Sequence, residues 1–188
     1  MIKAVKKIIS YIMVCMLFLG MCVPCEAAQT DTATASDANA TTGFPQITST
    51  SAIIMDAQSG QIIYEKNSHT RQYPASITKI MTAYLAIKNG DLNSTITMSD
   101  AAVWGIDRSS SHIALDVGEE ISMSDALYAV MLMSANEAAW AIAEQVSGSL
   151  ENFVQLMNDT AQSLGCKDTH FTNANGLHDP DHYTTAYD

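Results

Sequence analysis

Ser76 and Lys79, three positions apart, are the residues of this sequence whose types and spacing best suit chemistry. Positions three apart lie on one face of an α-helix, so the Lys79 amine can reach the Ser76 hydroxyl. A serine hydroxyl is a weak nucleophile, and an amine kept neutral by a lowered pKa can take its proton. The spacing is therefore compatible with acyl transfer near a helix N-terminus, which favours developing negative charge, although serine and lysine three apart also occur often by chance. The alternative interpretation is a capping serine beside a solvated lysine.

A second polar pair, Ser134 and Asn136, lies at a predicted break between two helices. A hydroxyl and an amide at such a break can both face a cleft, where they suit proton relay and binding of a substrate amide. The alternative interpretation gives the pair no chemistry, because asparagine is also a common N-cap and would cap the helix that follows. Spacing alone leaves both interpretations open.

A hairpin and a helix are predicted around the first pair. Residues 52–55 and 61–64 are β-rich runs, and the turn-forming segment between them contains Gly60. Helical spacing of apolar residues then predicts a core-facing helix over residues 76–88, closed by Gly90. The apolar residues of that pattern are Ile77, Ile80, Met81, Tyr84 and Leu85.

Three more helices are predicted in the second half of the chain. Ser122 opens a capping-box pattern, and the helix after it pauses at residues 134–136. The next helix follows Asn136 and ends at Gly148, and the last one lies between Ser149 and Gly165. A hairpin followed by a helical centre predicts an α+β domain.

Three segments together resemble a known family. The order Ser-x-x-Lys followed by Ser-x-Asn matches the serine penicillin-binding enzymes and class A β-lactamases. The flanking residues look like those of the low-molecular-weight D-alanyl-D-alanine carboxypeptidases, over about residues 47–188. They read PASITKIMT at 74–82, LMSANEAA at 132–139 and NGLHDPDHYTTAYD at 175–188. The resemblance implies a penicillin-binding-protein/β-lactamase-like transpeptidase domain, in which a helical region packs on an antiparallel sheet with the active site between them.

The resemblance also implies a role for each of the four residues. Ser76 would be the acylated nucleophile and Lys79 its base, while Ser134 would relay protons and Asn136 would bind substrate. The implied reaction removes the terminal D-alanine from peptidoglycan stem pentapeptides through an acyl-enzyme, and β-lactams inhibit it by trapping the serine. It needs no cofactor.

The family's third motif, Lys-Thr-Gly on a late strand, is absent from this sequence. That strand should supply a cation for the substrate carboxylate and a backbone N–H for the oxyanion hole. We therefore interpret residues 46–188 as the N-terminal part of a truncated catalytic domain whose C-terminal strands are missing, and we expect the chain alone to be inactive. An attachment to the membrane surface, common among these proteins, would lie beyond Asp188.

Two other functions stay open. A class A-like β-lactamase needs a glutamate to activate water, and none occurs between Gly165 and Leu177. A non-catalytic cell-wall-binding relative would account for the missing third motif. A metal site is a further alternative at His178-Asp179-Pro180-Asp181-His182, although Pro180 breaks any helix that would align the histidines, which favours a surface loop without metal.

Charge and composition point to a location outside the cytoplasm. Residues 1–27 resemble a signal peptide, with three lysines before an apolar stretch. Residues 28–45 are interpreted as a flexible tether, because almost no large apolar side chain occurs up to about Thr42. The alternatives for the start are an uncleaved anchor or a lipoprotein.

Cys166 is the one cysteine after this region, so no internal disulfide forms. The net charge of -11 argues against a nucleic-acid partner.

Overall fold

The computed structural model of the protein describes residues 46–188. The signal peptide and the tether predicted over residues 1–45 lie outside the described residues. The described part has the predicted α+β character, with helices packed beside two small antiparallel sheets. Its elements are β1 (Ala52–Met55), β2 (Ile62–Lys66), α1 (Thr78–Asn89), β3 (Thr95–Thr97), α2 (Asp100–Trp104), β4 (Glu120–Ser122), α3 (Met123–Met133), α4 (Asn136–Ser147) and α5 (Leu150–Leu164).

The predicted hairpin is confirmed. Strands β1 and β2 pair antiparallel, with Ile54 opposite Tyr64 and a bulge before Met55. The turn between them is held by the Asp56 carboxylate, which accepts a hydrogen bond from the Ser59 N–H at 2.7 Å. The second sheet, β3 with β4, has three-residue strands that no sequence pattern indicated.

Helix α1 confirms the predicted helix, but the face that it buries is partly different. A short 3₁₀ turn, Ala75–Ile77, precedes it, and Gly90 is its C-cap. Ile77 and Ile80 are 68% and 60% exposed, whereas Leu85 is buried as predicted. The buried face instead carries polar side chains, Thr78, Lys79 and Thr82, each of which finds a hydrogen-bond partner in the segment 174–182. Those bonds offset the cost of burying polar groups.

Helix α4 is the central helix of the described residues. Its small side chains let the neighbouring helices approach closely, and its face packs into two apolar clusters, one with Met123 and one with Phe153. Its buried residues are Asn136, Glu137, Ala138, Ala139, Ala141, Ile142 and Ala143.

The ends of the last three helices follow local sequence signals. The Ser122 hydroxyl accepts a hydrogen bond from the Asp125 N–H at 3.0 Å at the start of α3, and the Ser149 hydroxyl caps α5. Gly148 and Gly165, both left-handed, end α4 and α5 as predicted. No helix within residues 46–188 combines the length and the apolar character that crossing a membrane requires.

Candidate active site

Ser76 lies in the 3₁₀ turn that leads into α1, and its side chain is exposed. The turn is shaped by Ala75, whose φ is 48°, and by the close approach of Gly176, whose φ is 82°. A Cβ atom on Gly176 would overlap the Ala75 carbonyl group and would come within 3.0 Å of the Thr78 hydroxyl. Only glycine therefore fits where the segment 173–177 passes the 3₁₀ turn that contains Ser76.

Lys79, one turn further along, is buried with 2% of its surface exposed. Its Nζ lies 3.3 Å from Ser76 Oγ, 2.7 Å from Asn136 Oδ1 and 2.6 Å from the Asn175 carbonyl oxygen. The helical spacing thus brings the amine to the serine hydroxyl, and two residues distant in sequence complete its surroundings.

Burial lowers the pKa of Lys79 to about 8, because a charged amine loses hydration inside the protein. The negative charge of Glu137 acts in the opposite direction and raises this pKa. About one molecule in ten would therefore hold a neutral amine at pH 7, far more than for an exposed lysine. A neutral amine has the lone pair that a general base needs.

Ser134 is the C-cap of α3 and adopts the left-handed conformation, with φ at 56°. Its hydroxyl donates to Ser76 Oγ at 2.9 Å. A left-handed residue other than glycine costs about 1 kcal/mol or more, and such conformations cluster at functional sites. The left-handed end of α3 therefore places a second hydroxyl against the hydroxyl of Ser76.

Asn136 corrects the capping interpretation. The N-cap of α4 is Ala135, and Asn136 is the first helical residue. Its amide side chain accepts from Lys79 Nζ and donates through Nδ2 to Ser110 Oγ at 2.8 Å. The side chain is thus committed to the lysine and to a distant loop, and it does not cap its own helix.

The segment 172–182 forms one wall of the site. The His182 Nδ1 accepts from the Thr172 N–H at 3.0 Å, so its protonated Nε2 donates to the Thr78 hydroxyl at 2.7 Å. Burial lowers the pKa of His182 to about 4 and keeps the ring neutral. Inside the segment, Asn173 Oδ1 accepts from the Gly176 N–H at 2.7 Å. These bonds hold the Asn175 carbonyl against the lysine.

Sequence reasoning assigned no role to Ser110, Glu137 or Asn175, and it considered His182 only as a metal ligand. Glu137 is fully buried, and its Oε1 accepts from the Ile113 N–H at 2.7 Å. A fully buried acid in the first turn of a helix is the least expected of these residues, and its position directly after Ser-x-Asn was the available signal. Nothing local could have identified a backbone carbonyl such as that of Asn175 as a lysine ligand.

The metal alternative receives no support from the histidine and aspartate run. Within residues 46–188 no three His, Cys, Asp or Glu side chains are grouped so that they could hold a metal ion. Both ring nitrogens of His182 are engaged by protein groups, and the His178 ring packs edge-on against Tyr73.

An exposed serine lies within hydrogen-bond distance of both a buried amine of lowered pKa and a second serine, which is the geometry that acyl transfer by a lysine-activated serine requires. The model of the D-alanyl-D-alanine carboxypeptidase family matches residues 36–188. This chain therefore belongs to the D-alanyl-D-alanine carboxypeptidase family.

Individual relatives agree with the family. The chain is 41% identical to D-alanyl-D-alanine carboxypeptidase DacA of Haemophilus influenzae, over 77% of this chain and 38% of that protein. It is 40% identical to DacF of Bacillus subtilis, over 73% of this chain and 36% of that one. The crystal structure of penicillin binding protein 5 from Haemophilus influenzae superposes with a TM-score of 0.72 at 39% identity, covering 76% of this chain and 43% of that chain. The chain thus spans less than two-fifths of these curated relatives, and its fold is that of the penicillin-binding proteins.

Proposed function

We propose that this chain carries the nucleophile and its base in a serine-type D-Ala-D-Ala carboxypeptidase. The substrate would be the peptidoglycan stem pentapeptide, which loses its terminal D-alanine through an acyl-enzyme on Ser76. The observation that carries the proposal is the position of Lys79 Nζ, buried and 3.3 Å from the exposed Ser76 hydroxyl. The family match supports the choice of substrate.

The donors and acceptors around Lys79 support proton transfer from Ser76 to Lys79. A neutral lysine amine has two N–H groups and one lone pair. Asn136 Oδ1 and the Asn175 carbonyl are acceptors only, so they take the two N–H groups, and the lone pair is left for the Ser76 proton. Lys79 is therefore arranged as a general base towards the serine.

The acylation step follows from this arrangement. Ser76 Oγ forms a bond to the carbonyl carbon of the substrate while its proton moves to Lys79 Nζ. The carbon–nitrogen bond to D-alanine then breaks, and the leaving amine takes a proton through Ser134, whose hydroxyl is 2.9 Å from Ser76 Oγ. Water finally hydrolyses the ester. Asn136 keeps a second Nδ2 hydrogen, which suits a substrate carbonyl.

β-Lactam binding and the cellular location belong to the same proposal. A β-lactam offers the serine a strained amide, and the absence of glutamate between residues 165 and 177 supports slow hydrolysis of the adduct over β-lactamase turnover. A peptidoglycan substrate supports a location on the outer side of the cytoplasmic membrane, and the signal-like residues 1–27 agree with it. No Lys-Thr-Gly occurs in the 188 residues, so we expect them by themselves to release little or no D-alanine; measurable release would contradict this expectation.

Acylation by a fluorescent penicillin tests the proposal. The full-length gene product should form a long-lived adduct, and mass spectrometry of its peptides should locate the adduct on Ser76. Ser76→Ala should abolish labelling, while Ser59→Ala, which removes an exposed hydroxyl in the hairpin turn, should leave it unchanged. Rapid drug turnover without an adduct would favour the β-lactamase. No adduct and no turnover would favour the non-catalytic relative.

A further inference from the structure

The hydrogen-bond chain that begins at Lys79 continues beyond Asn136 into the loop that connects α2 and β4. Asn136 Nδ2 donates to Ser110 Oγ at 2.8 Å. Ser110 Oγ in turn donates its hydrogen to the carbonyl oxygen of Asp107. The loop is also tied to α4 through the backbone, because the Asn136 N–H donates to the Ser111 carbonyl at 3.0 Å. Ser110 is therefore held at the far side of the Asn136 amide from the lysine.

Ser110 determines which groups donate and which accept in this series of hydrogen bonds. A serine hydroxyl has one hydrogen to donate, and Ser110 donates it to the backbone carbonyl of Asp107, which can only accept. Ser110 Oγ can then only accept a hydrogen bond from Asn136, so the NH₂ group of the Asn136 amide must face Ser110. The carbonyl side, Oδ1, consequently faces Lys79.

This direction becomes critical when Lys79 is neutral. A charged lysine has only hydrogens to offer, so it holds Oδ1 towards itself without help. A neutral amine has a lone pair, and a reversed Asn136 amide could donate Nδ2–H to it. That bond would occupy the lone pair that must accept the Ser76 proton.

We propose that Ser110 is a positioning residue that prevents the Asn136 amide from reversing and so keeps the lone pair of Lys79 free for Ser76. The proposal rests on the proposed role of Lys79 as the base. Reversal in the native protein would break the Ser110–Asp107 hydrogen bond or leave two acceptors facing each other. Ser110→Ala removes that obstacle.

The consequence is a defect that depends on pH. Below the pKa of Lys79 the amine is charged and orients Asn136 by itself, so Ser110→Ala should acylate at the native rate. Above that pKa the reversed, inactive form competes. If the reversed form is favoured by about the free energy of one hydrogen bond, Ser110→Ala acylates about fivefold more slowly than the native protein at alkaline pH. The midpoint of its curve of rate against pH then lies about 0.7 pH unit below the native midpoint.

Other titratable groups lie in or against this network. They are Glu137 on α4, His182 in the segment against α1, and Asp107, Arg108 and His112 in the loop itself. A matched control retains all of them. Ser109→Ala removes a neighbouring hydroxyl that bonds the Asp107 carboxylate at 2.8 Å and does not contact Asn136. The Ser109 hydroxyl lowers the pKa of Asp107, so its loss moves that pKa only back towards 3.8, which is below the pH range of the assay.

The experiment measures the second-order rate constant of acylation by a fluorescent penicillin from pH 6 to pH 9.5, on the full-length gene product. We expect the Ser110→Ala curve to meet the native curve at pH 6 and to fall about fivefold below it at pH 9.5, with Ser109→Ala native throughout. Ser110→Thr keeps the hydroxyl and should restore the native curve. Ser110→Cys keeps the volume with a weaker acceptor and should show a smaller alkaline defect, which provides a second measure should the alanine variant unfold.

Each other outcome overturns the proposal. An equal loss at every pH would mean that Ser110 acts through general structure or substrate binding. A native curve for Ser110→Ala, or the same defect in Ser109→Ala, would mean that Ser110 does not control the amide. Failure of the native protein to form any adduct on Ser76 would refute the proposed function, which separates that failure from failure of the Ser110 proposal.

Discussion

Replacing Gly176 with alanine should separate the lysine from its carbonyl ligand. Gly176 follows Asn175, whose carbonyl oxygen accepts from Lys79 Nζ at 2.6 Å. A Cβ atom on residue 176 would overlap the carbonyl group of Ala75, the residue before Ser76. Both partners in this clash are backbone groups, so no side-chain rotation can relieve it. The segment 173–177 must move away from the 3₁₀ turn that contains Ser76.

The magnitude follows from two separate costs. The left-handed φ of 82° at Gly176 costs an alanine about 1 kcal/mol of the free energy of unfolding. Removing the overlap requires the two backbones to part by about 1 Å, since real Cβ atoms do not approach a carbonyl so closely. A displacement of about 1 Å at reacting groups can lower a rate about 100-fold. We therefore expect acylation to be about 100-fold slower.

Gly148→Ala is the matched control for this variant. Gly148 has a similar φ of 77°, and an added Cβ there would meet no atom within 4 Å. It should lower the free energy of unfolding by about 1 kcal/mol and leave acylation unchanged. The assays are urea denaturation and the rate of acylation by a fluorescent penicillin. An acylation rate for Gly176→Ala within about threefold of that for Gly148→Ala would refute the reasoning.

Three further predictions concern the pH dependence of acylation, the relay hydroxyl and the pH dependence of stability. The acylation rate should rise with pH through about 8, the pKa of Lys79, and Lys79→Arg should remove acylation at every pH; a flat profile between pH 6 and pH 9.5 would contradict the role as base. Ser134→Ala should slow acylation by about 100-fold with a native melting temperature, and an unchanged rate would exclude the relay. His182 has its pKa lowered from 6.5 to about 4, so the unfolded chain binds a proton that the folded protein excludes, and the free energy of unfolding should fall by up to about 3 kcal/mol between pH 6.5 and pH 4. Urea titrations of His182→Gln should show a flatter dependence over that range, and an equally steep one would place the effect elsewhere.

Local signals were sufficient for the hairpin, for the four longer helices and for one contact of the site, but not for β3, β4 and the short helix α2. The helix ends at Ser122, Gly148, Ser149 and Gly165 depend on side chains or glycine conformations within a few residues, so they can be read from the sequence. The Ser76–Lys79 contact belongs to the same kind, because helical geometry places residues three apart on one face.

Packing between distant segments decided the rest. The buried face of α1 could not be read from its apolar residues, because Thr78 and Thr82 are satisfied by His182 and by the Ala174 carbonyl, far along the chain. Asn136 looked like a helix cap for the same reason, since its true partners come from α1 and from the Ser110 loop.

The sequence by itself determined the family resemblance, the order of the helices and the pairing of a serine with a lysine. Only the tertiary structure decided what surrounds that lysine: the Asn175 carbonyl, the Asn136 amide and the apolar burial that lowers its pKa. Short-range geometry brings the amine of Lys79 close to the hydroxyl of Ser76. Desolvation and the direction of its lone pair depend on groups that only the folded chain brings together.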